Sequence, residues 1–279
     1  MIKKQENRIP SISLKSFLTA VTFILFAALT IWWIMLLFLG NEEQNLIWAA
    51  SYQAVALWGG ISGLFIISRL WGGLKSVMGR AITYFSLGLL FQVFGQSVFS
   101  FYNITLHIQI PYPSFADIGF FGSIPFYIYG TVLLGKASRI SISLKSFRNK
   151  LQAIVIPLLL LVISYVSFLL DYQVDFSNKL RILLDFGYPI GQAIYVSIAI
   201  LVYILSRNIL GGIMKNKIIL VLIALVVQYV ADYNFLYQNL RGTWINGGYG
   251  DYIYLFSYFV MSLALVRLMG IFSENSEMS

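Results

Sequence analysis

The chain contains no cysteine and one histidine, His107. The first absence removes disulfides, thiolate nucleophiles and cysteine-based metal sites. The second removes the multi-histidine zinc motifs. Charge is also scarce: 11% of the 279 residues are Asp, Glu, Lys or Arg, against roughly 25% in a soluble domain. What fills the space is apolar. Hydrophobic residues make up 59% of the chain, the mean hydropathy is +0.80, and several uninterrupted apolar runs reach the length of about 20 residues that crosses a bilayer. These runs predict an all-α, polytopic integral membrane protein. Their continuity, without in/out alternation, excludes a β-barrel. The composition predicts no cofactor and no metal, and the lipid bilayer as the first partner.

Residues 1–16 read as a basic cytoplasmic tail and 272–279 as a short tail on the same side. Between them the apolar runs predict eight spans, near 17–39, 46–68, 81–102, 115–135, 151–171, 180–205, 217–239 and 251–271. The first is too long for a signal-peptide core and is followed by Gly40-Asn-Glu-Glu43, so it reads as an uncleaved anchor. With both termini inside, 16 of the 19 basic residues fall on inner segments, and only Lys179, Arg181 and Arg241 lie outside. The net charge of +8 is therefore read through the positive-inside rule, in a cytoplasmic membrane, and not as nucleic-acid binding. The acids run the other way. Glu42, Glu43, Asp117, Asp171, Asp175, Asp185, Asp232 and Asp251 all belong to the outer side or outer half. The basic inner loop from Lys136 to Lys150 faces anionic headgroups or a cytoplasmic partner.

Three helix pairs look alike. Phe94-Gly-Gln-Ser-Val-Phe-Ser-Phe-Tyr102 ends the third span, and Val230-Ala-Asp-Tyr-Asn-Phe-Leu-Tyr237 ends the seventh. Each is followed by an outer loop rich in Pro or Gly, then by Ala116-Asp117 or Gly250-Asp251 opening the next span. Leu183-Leu-Asp185-Phe-Gly-Tyr-Pro189-Ile-Gly-Gln192 marks a middle copy. The expectation is three repeats, 81–135, 151–205 and 217–271, preceded by an added hairpin at 17–68.

Tyr112-Pro-Ser-Phe-Ala-Asp117, Leu184-Asp-Phe-Gly-Tyr-Pro189 and Gly250-Asp251 before a Tyr-rich last span together resemble a bacterial membrane-sensor family. These are the multi-pass regions that precede diguanylate cyclase (GGDEF-type) and histidine kinase domains. The resemblance covers roughly residues 81–271 and implies sensing. It supplies no catalytic residue, and no output domain is expected in the segment that ends at Ser279.

The outer-half polar residues are the functional candidates: Gln96, Asp117, Asp185, Tyr188, Gln192, Gln228, Asp232, Asp251 and Tyr254. Carboxylates within a membrane are costly and face a bundle interior or a wet cavity. Asp185, Tyr188 and Gln192 share one helical stripe, as do Asp251, Tyr254 and Tyr258, and Gln228 lies one turn deeper than Asp232. Such a set would form an outward-facing polar pocket for a small molecule. Each has a plainer alternative. Asp117, in Ser114-x-x-Asp spacing, and Asp251 would cap helix starts. Asp185 would pair with Arg181 one turn away, and Gln96 and Asp232 would be interhelical hydrogen bonds.

The leading expectation is a sensor-like or ligand-binding membrane module that signals to a cytoplasmic partner or a second copy. The alternative is a small-solute or proton-coupled transporter using the same carboxylates. Direct repetition, with every polar lip on one side, leaves no matching inner gate and favours binding. A third reading is an intramembrane aspartyl protease, because Gly248-Tyr-Gly-Asp251 matches the GxGD pattern with Asp232 as partner. Against it, Ala231 stands where that family has tyrosine, and no proline follows Pro189. Topology is tested directly: reporter fusions after Lys145 and Lys215 are expected to read cytoplasmic, and those after Glu43, His107 and Gly247 external. An external signal at Lys145 would break the eight-span arrangement.

Overall fold

A computed structural model describes residues 11–108, 110–138, 147–166, 177–206 and 212–269. Among them there is no strand, and the chain folds into long helices. We label these α1 (Ser11–Leu39), α2 (Glu42–Leu70), α3 (Val77–Ser100), α4 (Ala116–Ala137), α5 (Phe147–Ser164), α6 (Lys179–Ser206), α7 (Gly212–Leu240) and α8 (Tyr249–Leu268). Two π-helical turns interrupt regularity, Gly63–Ile67 within α2 and Phe101–Thr105 prolonging α3. Seven of these helices are long and apolar enough to cross a membrane. The chain is a multi-pass helical membrane protein. The fifth, α5, has a shorter apolar stretch, Ile154–Ile163; the outer part of the span expected at 151–171 lies outside the described residues.

Local chemistry sets the helix starts. Asn41 accepts from the Gln44 N–H at 2.9 Å, and the Gln44 side chain accepts from the Asn41 N–H at 3.4 Å. This reciprocal cap turns the chain from α1 into α2 within a two-residue link. At α4 the expected Ser114/Asp117 box forms only by half. The Asp117 carboxylate accepts from the Ser114 N–H at 2.7 Å, but Ser114 Oγ accepts from the Ala116 N–H instead of that of Asp117. The cause is a tight first turn, in which the N–H groups of Asp117 and Ile118 donate to the carbonyls of Ser114 and Phe115, three residues back.

Six helices close a ring in the order α2, α3, α4, α6, α7, α8 and back to α2; α1 packs outside on α8 and α2, and α5 outside on α6. Burial follows this layout. Only 11% of the apolar window of α1 is buried, against 67% for α8. Ile24, Ile31 and Phe38 on α1 and Ile154, Leu158 and Val162 on α5 stay exposed, as lipid-facing side chains do. Because lipid tails are as apolar as leucine, packing and hydrogen bonds must supply cohesion between helices. Three indole N–H groups tie α1 to the ring. Trp58 reaches Thr22 Oγ1 at 3.1 Å, Trp48 the Leu29 carbonyl at 2.9 Å, and Trp33 the Gly247 carbonyl at 3.0 Å. Thus α2, expected as half of an added hairpin, sits inside the ring between α3 and α8.

The tightest crossing joins α3 to α4. A Cβ on Gly119 would lie 2.3 Å from the Gly95 nitrogen and 2.5 Å from the Phe91 carbonyl oxygen, both backbone atoms that cannot swing aside. On Gly122, one turn further, it would meet the Phe91 ring at 2.9 Å, which can rotate. Gly119→Ala is therefore expected to destabilise the purified protein by about 1–3 kcal/mol, the usual range for overpacking, and Gly122→Ala by clearly less. Thermal unfolding in detergent micelles measures both.

Candidate functional site

At one end of the ring, hydrogen bonds made by side chains link each helix to the next. Gln96 on α3 donates to the Ala49 carbonyl of α2 at 2.9 Å. Gln92, one turn deeper, donates to Ser123 Oγ on α4 at 2.8 Å and accepts from the Tyr258 hydroxyl of α8 at 3.2 Å. The Tyr188 hydroxyl of α6 donates to Asp117 on α4 at 2.8 Å. Gln192 on α6 donates to Asp232 on α7 at 2.7 Å. Tyr254 on α8 donates to Asp232 at 2.8 Å, and Ser257 donates to Gln228 on α7 at 2.8 Å. Tyr52 of α2 lines the same cavity wall as Asp251 on α8, and Ser262 of α8 donates to the Val55 carbonyl of α2 at 3.1 Å. A continuous polar belt thus runs round the ring.

A tyrosine phenol serves three of the carboxylates, Asp117, Asp232 and Asp185. The third pair joins the loop before α4 to α6: Tyr112 donates to Asp185 at 2.7 Å, while Arg181 Nε lies 3.7 Å from the same carboxylate and its guanidinium sits over the Tyr112 ring. This realises the expected Arg181–Asp185 pairing and adds a loop anchor to it. Asp251 is also held from behind, since its carboxylate accepts from the Gly247 N–H at 2.7 Å. Gly247 has φ of +73°, and a Cβ there would lie 2.8 Å from the Asn45 carbonyl oxygen, so only glycine fits. Capping and cavity lining are therefore not alternatives for Asp117 and Asp251; both do both.

The belt lines a cavity of about 70 Å3. Every ring helix contributes to its wall: Tyr52, Gln96, Asp117, Tyr188, Asp232 and Asp251 represent α2, α3, α4, α6, α7 and α8 in turn. Tyr254 lines it too. Asp185, Gln192 and Gln228 do not. They stand behind the wall, buried, with the two glutamines holding the Asp232 carboxylate at 2.7 and 3.1 Å. Above the cavity lies a vestibule of about 410 Å3 that includes Asn103 and His107. The two spaces share Phe99, Ile110, Phe235, Asn239 and Trp244 as a rim. Sequence reasoning passed over Tyr52 and this rim. Tyr258, by contrast, was visible on the Asp251/Tyr254 stripe.

No hydrogen bond joins Asp232 to Asp251 among the described residues; each has its own donors. Nor do three acidic or histidine side chains converge closely enough there to hold a metal ion. The arrangement suits recognition of a small solute better than acid–base chemistry. The chain matches no known family model, no curated protein and no solved structure. Fold and site define its class: a polytopic helical membrane protein with a polar, phenol-rich cavity at one end of its bundle.

Asp232 carries the most contacts. Asp232→Leu strands the Gln192 and Gln228 amides and the Tyr254 hydroxyl, and at about 0.6 kcal/mol per membrane hydrogen bond it is expected to cost about 2 kcal/mol. Asp232→Asn should cost little. Its carbonyl still accepts from Gln228 and Tyr254, and its amide finds Gln192 Oε1, a buried acceptor with no partner, once the Gln192 amide turns over. Thermal unfolding of the two variants checks the difference.

Proposed function

We propose that the chain is a sensor-like, ligand-binding membrane module whose outward-facing cavity accepts a small solute and biases the positions of the ring helices. The observation carrying this reading is that all six ring helices meet in one cavity wall. A ligand touching Asp117, Asp232 and Asp251 contacts α4, α7 and α8 at once, and differential contact is what shifts a helix equilibrium. Eight spans with both termini in the cytoplasm would deliver that shift to the cytoplasmic side, to a signalling partner or a second copy. Residence in the cytoplasmic membrane, and descent of the helix pairs from one repeated unit, belong to the same proposal.

Transport is the second reading. Beneath the cavity, Tyr258 closes onto Gln92, and Phe85, Leu89, Val55 and Leu265 fill the ring with no exposed surface. This favours a closed-ended receptor over a passage.

The absence of cysteine makes the test direct, since any introduced thiol is the sole one. In intact cells a membrane-impermeant maleimide should label Asn239→Cys, at the rim, and leave Ser86→Cys, buried in the ring, unlabelled. Protection of Asn239→Cys would contradict an outward-facing cavity. Labelling of Gln96→Cys in inside-out vesicles would replace the receptor with a transporter.

A further inference from the structure

We infer that the cavity selects a small organic cation, an aliphatic ammonium of a few heavy atoms; this rests on the reading of the cavity as a binding site. The first ground is unbalanced charge. Asp117, Asp232 and Asp251 line the cavity, and no lysine, arginine or histidine does. Their protein donors are all neutral. Asp232 has two amides and a phenol, Asp117 a phenol and the Ser114 N–H, and Asp251 the Gly247 N–H. Arg181 is paired with Asp185, which does not line the cavity. Hydrogen bonds orient these carboxyl groups and bring no counter-charge, which an arriving cation would supply.

The second ground is independent of the acids. Aromatic rings make up much of the remaining wall, with Tyr52, Tyr188, Tyr254 and Tyr258 deep and Phe99 and Trp244 at the rim. Ring faces attract cations, and an aromatic enclosure beside carboxylates suits an ammonium rather than an anion or a sugar.

Size and spacing narrow the class. The cavity of about 70 Å3 exceeds what a single water needs and suits a small solute. The acids ring the space without converging on one point, so the cation bridges carboxylates and is not chelated as a bare metal ion would be.

The full-length protein, purified in detergent micelles, tests this with an isosteric pair. Tert-butylammonium chloride and methylammonium chloride are titrated against tert-butanol and sodium chloride, following the melting temperature and the fluorescence of the tryptophans, Trp244 among them. The ammonium salts should raise the melting temperature by several degrees with saturation, and the two controls should not. Asp232→Asn and Asp117→Asn should each weaken the apparent affinity at least tenfold, whereas Glu43→Gln, an exposed outer carboxylate, should not change it. Equal saturating shifts from tert-butanol and tert-butylammonium, indifferent to Asp232→Asn, would overturn the cation assignment and leave the binding cavity standing. No shift from either ammonium would also overturn it, while thiol accessibility at Asn239→Cys judges the cavity separately.

Discussion

The structure depends on one pairing repeated around the bundle, a carboxylate in the membrane and a tyrosine hydroxyl from a neighbouring segment. Asp117 with Tyr188, Asp185 with Tyr112 and Asp232 with Tyr254 are three instances. A bilayer offers helices no hydrophobic reason to associate, so each directed bond counts at roughly its full net value of about 0.6 kcal/mol, and up to about 1.7. The glutamines Gln92 and Gln96 complete the circuit where no carboxylate stands, and Gln192 ties α6 to Asp232 on α7. Removing any one member opens one seam of the ring and leaves a buried donor or acceptor behind.

The same belt gives the cavity its character. Phenols can satisfy a carboxylate without bringing a positive charge, so the wall stays acidic as well as ordered. Aromatic rings that carry those hydroxyls fill the space between helices and set its small volume. Structural adhesive and binding surface are thus the same atoms. That is why asking whether Asp232 is glue or pocket has no single answer: Gln192, Gln228 and Tyr254 hold it from the wall side, and it remains half-buried at the cavity. The α1 helix, strapped on by Trp33, Trp48 and Trp58, reaches this system through Gly247, whose carbonyl takes the Trp33 indole while its N–H holds Asp251.

Much of this was legible in the sequence, and the missing part has a physical reason. Uninterrupted apolar runs specified the helices, because backbone groups in lipid must be satisfied within one segment. The 3.6-residue period placed Asp251, Tyr254 and Tyr258 on one face and Gln228 beneath Asp232. A period, however, names a face and not its neighbour. Nothing in the run Trp48 to Trp58 distinguished Tyr52 from an interfacial tyrosine, and nothing showed α2 seated between α3 and α8. For the same reason Asp185, Gln192 and Gln228 were grouped with the lining residues, although a step of one helical turn along the axis from Tyr188 or Asp232 takes them out of the wall. The half-formed cap at Ser114 has a different cause, since a three-residue first turn shifts which N–H its hydroxyl meets.

The central claim is that carboxylate–phenol pairs hold the ring together across helix boundaries. Its most direct measurement is a double-mutant cycle on Asp117 and Tyr188, with Asp117→Ala, Tyr188→Phe and the double variant compared by unfolding in micelles. A hydrogen bond joining α4 to α6 predicts a coupling of about 0.6–1.7 kcal/mol, with the double variant less destabilised than the sum of the singles. Strict additivity would contradict the account, because the two residues would then hold their helices independently and the belt would be broken at that seam.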